Sequence, residues 1–232
     1  MSGSEIYLTR LSAWAPGIGS WESSSPSEWD EWAAGARNIS FGAKGPDIAF
    51  ADSMFRRRLS QISKMTIQVI HDLLPLEEGT KIFFLSFRGE LSRQYQINKM
   101  LIEEKVLSPA AFSLSVFNAP VALASMALGL KGGYTALYPG KNSFSAGFKA
   151  AQAALHCGAA EEAVFVYADE QIPPEYECFF QNCPFPAAFG LLLSRNSVSR
   201  SLSIPLSSLK EEENPLDFFK QILLRRETYA SS

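Results

Sequence analysis

Histidine is nearly missing from this sequence: 232 residues hold two, His71 and His156, and both fall in helical-looking segments. A metal site, a Cys–His pair or a Ser–His machine would have to recruit one of them. The three cysteines, Cys157, Cys178 and Cys183, are an odd number without CxxC spacing. That excludes a disulfide framework and a zinc ribbon. Cys178 and Cys183 read as buried thiols, since no histidine or acidic cluster accompanies them. There is no HxxxH pair and no Walker-type glycine loop, and no run of about eighteen apolar residues could span a bilayer. Met1 to Arg10 lacks the basic-then-apolar order of a signal peptide. A net charge of -3 is not the basic field of a nucleic-acid binder. These absences point to a cytoplasmic protein with no metal, cofactor, nucleic acid or membrane span, and with no self-evident active site.

What is present is an ordinary globular composition, 47% hydrophobic and 19% charged, sized for one large domain. Ile6 to Trp14 reads as a strand. The stretch from Ile18 to Pro46 carries Trp21, Trp29 and Trp32, too many large rings for a disordered linker, and reads as a packed surface loop with a short helix near 27–37. Apolar residues from Asp52 to Leu74 recur at spacings of three and four, the pattern of one amphipathic helix, with Arg56, Arg57 and Arg58 near its start. A buried strand at Lys81–Ser86 precedes a second helix from Glu90 to Glu104. Phe112–Val116 reads as extended, Ala119–Leu128 as a small-residue helix, and Tyr134–Leu137 as a short strand. The Ala- and Gly-rich run ending at His156 predicts a buried central helix approached closely by its neighbours. Ala163–Ala168 and Phe189–Leu193 are apolar on both faces, as in a sheet covered twice. A further strand is possible at Leu202–Ile204. Asn214-Pro215 suits the N-cap and first turn of a helix over 214–226. Alternating strands and helices predict a layered α/β domain over 1–195, followed by a C-terminal tail over 196–232.

The segment Ser108-Pro109-Ala110-Ala111-Phe112-Ser113-Leu114-Ser115-Val116-Phe117-Asn118, the turn Gly129-Leu130-Lys131-Gly132-Gly133, the strand and elbow Thr135–Gly140, and the helix from Ser143 to Gly158 with its following strand occur in a telling order. Together they resemble the N-terminal half of β-ketoacyl synthases. The resemblance implies a thiolase-like half-fold, a mixed sheet covered by helices on both faces, with a short C-terminal tail helix. It covers most of residues 1 to 195.

Departures from the family pattern carry the functional expectation. Along the ungapped match the nucleophile position falls on Lys141, or on Gly140 if the register shifts by one. A synthase needs a thiol there to hold the growing chain as a thioester, so neither residue serves. The family's two catalytic histidines belong to its C-terminal half, which this chain does not reach, and neither His71 nor His156 falls in a matching motif. The resemblance thus implies a non-catalytic, chain-length-factor-like subunit of the aryl-polyene or polyketide type. Its partners would be an active ketosynthase in a heterodimer and, transiently, acyl carrier protein. The family's dimer strand corresponds to Tyr134, Thr135, Ala136 and Leu137, joined by Asn118. Tyr95, Asn98, Leu101, Ala111 and Phe112 would line the acyl tunnel, and Arg56, Arg57 and Arg58 would meet the carrier. Their ordinary roles are core packing for the rings and a solvated helix face for the arginines. A stand-alone acyl-chain or carrier-binding module is the rival reading, and a homodimer across the same strand stays open.

Overall fold

The computed structural model describes residues 5–21, 26–140, 144–179, 185–198, 201–204 and 214–230. In chain order its elements are β1 (Ile6–Ala15), β2 (Gly19–Ser20), α1 (Pro26–Ala33), α2 (Ser53–Arg56), α3 (Gln61–His71), β3 (Lys81–Leu85), α4 (Leu91–Glu103), α5 (Pro109–Ser113), α6 (Ala119–Ala127), β4 (Tyr134–Leu137), α7 (Phe144–His156), β5 (Glu162–Asp169), a 3₁₀ helix (Pro174–Phe179), β6 (Ala187–Ser194), β7 (Leu202–Ile204) and α8 (Pro215–Ala230). The strands form one mixed sheet in the order β2-β1-β6-β5-β3-β4, with β7 also on β1. β4 and β5 run parallel to β3, whereas β6 is antiparallel to both β5 and β1.

Period-two alternation with both sets apolar explains why the sheet is covered twice. On one face Phe83, Leu85, Phe165, Tyr167, Phe189 and Leu191 pack with α1, α7 and α8. On the other, Ile82, Phe84, Val164, Val166 and Leu192 pack with α3 and α6. This is the mixed sheet with helices on both faces that the resemblance implied.

Two local expectations change. The single helix expected from Asp52 to Leu74 is two, because the run holds two capping residues. Asp52 Oδ1 accepts from the amides of Met54 and Phe55 to start the short α2, and Ser60 Oγ accepts from Ser63 N to start α3. Phe112–Val116 is not an extended segment either. Ser108 Oγ caps Ala111 N at 3.3 Å and Pro109 takes the first turn, so residues 109–113 are the helix α5. Tryptophan placement also differs from a surface loop: Trp29 and Trp32 are buried in the core under α8.

α8 is integral to that core. Asn214 Oδ1 caps Leu216 N at 2.9 Å, and Phe219 stacks on Phe189 of β6, centroids 4.8 Å apart and rings within 4° of parallel. Phe218 meets Phe144 and Phe148 of α7. α7 lies close to the sheet because Gly147 allows it: a Cβ there would sit 2.0 Å from Leu85 Cδ1. On the same helix Gln152 is fully buried, and neither amide atom finds a partner among the described residues. An unpaired buried amide is costly. Replacing it with the similarly sized, apolar methionine, Gln152→Met, is expected to raise stability by about 1–3 kcal/mol, read as a higher urea midpoint at unchanged slope.

Candidate functional site

β4 pairs with β3 as its one strand neighbour among the described residues, so its far side is a free sheet edge. Ile82 N donates to Gly133 O at 3.1 Å and Ser86 N to Leu137 O at 3.4 Å. In a parallel ladder alternate residues bond the same neighbour, so Thr135 and Leu137 serve β3 while the backbone groups of Tyr134 and Ala136 point outward. Tyr134 and Thr135 are exposed, and Ala136 and Leu137 half-buried. Asn118, half-buried at the start of α6, donates Nδ2 to the Tyr134 hydroxyl at 3.0 Å, so the residues expected at a dimer strand are in contact with one another.

Apolar side chains continue outward from this edge. Phe117 stands edge-on to Tyr138 just beyond β4, at 5.9 Å. Gln94 of α4 donates Nε2 to Ser115 O at 2.9 Å, tying α4 to the α5 segment. On that side Leu101, Ile102, Val106, Leu107, Phe112 and Val116 are between 46% and 69% exposed. Large apolar side chains exposed in series mark an interaction face. α4 itself has one buried residue, Ile97.

The expected tunnel residues do not share one wall in this chain. Ala111 borders a cavity of about 350 Å³ with Ile97, Met100 and Glu170. Tyr95 donates to Glu175 Oε1 at 2.6 Å and packs edge-on against Tyr176. Asn98, Leu101 and Phe112 are open to solvent. Among the arginines, Arg56 pairs with Asp47 at 2.8 Å, Arg57 and Arg58 are exposed, and the Arg58 carbonyl accepts from Arg93 Nη2 at 2.8 Å.

Where β3 and β5 end, a buried polar knot gathers residues that sequence reading passed over. Asp169, fully buried, accepts from Ser86 Oγ at 2.7 Å, from the amides of Phe87 and Arg88, and from the Tyr167 hydroxyl at 2.9 Å. Burial raises its carboxyl, with Arg88 and the hydrogen bonds working against that rise. Glu90 accepts from Ser60, Ser63 and Arg93. Glu170 accepts from Ile62 N at 3.3 Å and Ser92 N at 3.2 Å. Burial first, then the neighbouring Glu90 charge, push Glu170 up to about 7. The signal in the sequence was two adjacent acids, Asp169-Glu170, ending an otherwise apolar strand.

Among the described residues no His, Cys, Asp and Glu side chains group as a metal site. His71 stacks on Phe50 at 3.7 Å. Cys157 and Cys178 are both exposed; for Cys178 this corrects the expectation of a buried thiol, because it sits in the outer 3₁₀ helix. Cys183 and Lys141 lie outside the described residues, while Gly140 is exposed just beyond β4. No helix among the described residues is long and apolar enough to cross a membrane.

Comparison with known proteins places this arrangement. Residues 29–221 match the family described as the β-ketoacyl synthase N-terminal domain. A chain in the complex of the ketosynthase ApeO with its chain length factor ApeC, from Xenorhabdus doucetiae, is 27% identical. The match covers 83% of this chain and 80% of that one, with a TM-score of 0.69. The ishigamide ketosynthase/chain length factor matches at 14% identity and TM-score 0.66, and the AntDE:AntF complex of a type II polyketide synthase at 15% and 0.61. Those two matches share the fold and cover 82% of this chain but 62% of theirs. No curated protein matches the chain.

Proposed function

Since this chain belongs to the β-ketoacyl synthase N-terminal-domain family, we propose that it is a non-catalytic, chain-length-factor-like subunit of a ketosynthase. The observation that carries the proposal is the free edge of β4 continued by an exposed apolar face. A partner that adds its own strand to β4 gains backbone hydrogen bonds there, while the apolar face supplies the area of a stable contact. The 27% identity to a chain of a ketosynthase–chain length factor complex supports the same reading.

In the heterodimer proposed for this chain the partner performs the decarboxylative condensation of carrier-bound acyl and malonyl groups. This chain contributes no nucleophile, because a lysine at 141 forms an amide where turnover needs a labile thioester. Its contribution is steric: Leu101 and Phe112 face the partner and, from separate positions on this chain, Ala111, Tyr95 and Asn98 join them in limiting the length of acyl chain that fits. Arg57 and Arg58, exposed and without a carboxylate partner among the described residues, offer a contact for an acidic carrier protein.

The test is co-expression with an active ketosynthase subunit of the same type, then size exclusion with light scattering and a malonyl-carrier elongation assay. A one-to-one complex that elongates chains, with this subunit inert alone, is the expected result. A monomer that neither binds nor alters the synthase overturns the proposal in favour of a free-standing acyl or carrier binder, and a homodimer across β4 overturns the choice of partner.

A further inference from the structure

We propose that α4 is seated by a proton-dependent latch at Glu170, so that pairing through the apolar face weakens as the medium becomes more alkaline. The consequence for pairing rests on the partner reading above; the latch itself does not.

α4 has little hydrophobic hold on the domain. Ile97 is the one buried residue of its thirteen, and Leu101 and Ile102 point to solvent. What seats the helix is mostly polar: Gln94 Nε2 holds Ser115 O and the Tyr95 hydroxyl holds Glu175, and the bonds to the buried knot are gathered at its first turn. Ser92 donates its amide to Glu170 Oε1 at 3.2 Å and its hydroxyl to Gln171 O at 2.8 Å. Arg93 donates Nε to Glu90 Oε2 at 3.0 Å and Nη2 to Arg58 O at 2.8 Å. The other oxygen of Glu170 takes the amide of Ile62 at the start of α3. One buried carboxyl therefore ties the N-termini of two helices together.

Its charged surroundings favour the neutral acid. From the segment between β3 and α4 come Glu90, whose negative charge acts on Glu170, and Arg88, whose Nη1 donates to the Glu170 carbonyl. From α4 comes Arg93, engaged with Glu90. β5 itself adds Asp169, whose charge Arg88 offsets. α3 offers the Ile62 amide and the Ser63 hydroxyl, and neither titrates. The two helix-start amides favour the anion, yet burial and Glu90 outweigh them and hold Glu170 up near 7.

Above that pH a second negative charge appears beside Glu90. The cavity of about 350 Å³ bounded by Glu170, Ser92, Ile97 and Met100 gives α4 room to move and the carboxylate room to hydrate. The sign follows from linkage: a carboxyl raised in the folded chain favours the seated state at low pH, and that contribution is lost as pH rises through 7. If a partner binds the seated form alone, its apparent affinity falls as pH rises from the ordinary carboxylate range to about 7 and levels off above it.

The experiment measures heterodimer Kd at pH 6, 7 and 8 for the wild type and Glu170→Gln, which imitates the protonated acid. In parallel, amide exchange across α4 is followed in the unpaired chain, corrected for the intrinsic pH dependence of exchange. The wild type is expected to weaken about tenfold between pH 6 and 8, with α4 protection falling over the same range and Glu170→Gln flat in both. If no heterodimer forms, the partner reading fails while the exchange data still decide the latch. A pH-independent α4 in the wild type, or an equal slope in Glu170→Gln, overturns it.

Discussion

Ala136→Pro is expected to abolish pairing while leaving the subunit folded. The outward-facing backbone of β4 belongs to Tyr134 and Ala136, as the bonds of Gly133 and Leu137 to β3 establish. Proline at 136 removes an outward N–H and projects its ring into the space of an added strand, but it breaks no hydrogen bond to β3. Proline is tolerated on sheet edges for this reason. Loss of one or two interstrand hydrogen bonds together with the steric clash amounts to about 100-fold in Kd. Light scattering of the co-expressed pair and circular dichroism of the single subunit separate the two effects. Ala136→Val keeps the N–H and should pair normally; if both variants pair like the wild type, β4 is not the contact strand.

Phe219→Ala is expected to be the most damaging single truncation in the C-terminal helix. Its ring is 1% exposed, lies flat on Phe189 and meets the edge of Trp29. Removing a fully buried phenylalanine costs about 3–5 kcal/mol, which for a chain of this size lowers Tm by about 10 °C. Thermal unfolding followed by near-ultraviolet dichroism measures it. Deleting residues 209–232 goes further, uncovering Trp29, Trp32, Phe148 and Phe189 together, and should leave the protein insoluble. A soluble truncation with the wild-type Tm would show that α8 is dispensable to the core it covers.

The strands were legible because their chemistry is local. Ala163–Ala168 and Phe189–Leu193 are apolar at every position, and continuous apolar runs of that length suit strands covered on both faces. The helix at 214–226 was legible from Asn214-Pro215, a capping pair whose hydrogen bond is present. The same local chemistry, misjudged, gave the two errors of extent. Asp52 and Ser60 each cap a helix start, and apolar periodicity alone ran over the break between them. Ser108-Pro109 begins a helix, although the residues after it looked extended.

The candidate interface was legible in part, through the resemblance of Tyr134–Leu137 to a family strand. The resemblance also implied strand addition at a sheet edge, but the residues themselves did not say so, because edge or centre is decided by which distant segments pair. β5, twenty-five residues later, takes the inner side of β3, leaving β4 outermost. The electrostatic coupling of Glu90 to Glu170 was hidden for the same reason: 80 residues separate the two acids, and nothing in either neighbourhood names the other.

The sequence by itself determined the identity and chain order of most elements and the apolar surfaces available for burial. These follow from side-chain type, spacing and capping, which act within a few residues. Only the tertiary structure decided that β4 is an open edge, that α4 leaves its apolar side uncovered, that α8 closes the aromatic core, and that Glu170 is buried beside a second carboxylate. Each of these depends on which parts of the chain exclude water from one another, and that is settled by long-range packing rather than by any local preference.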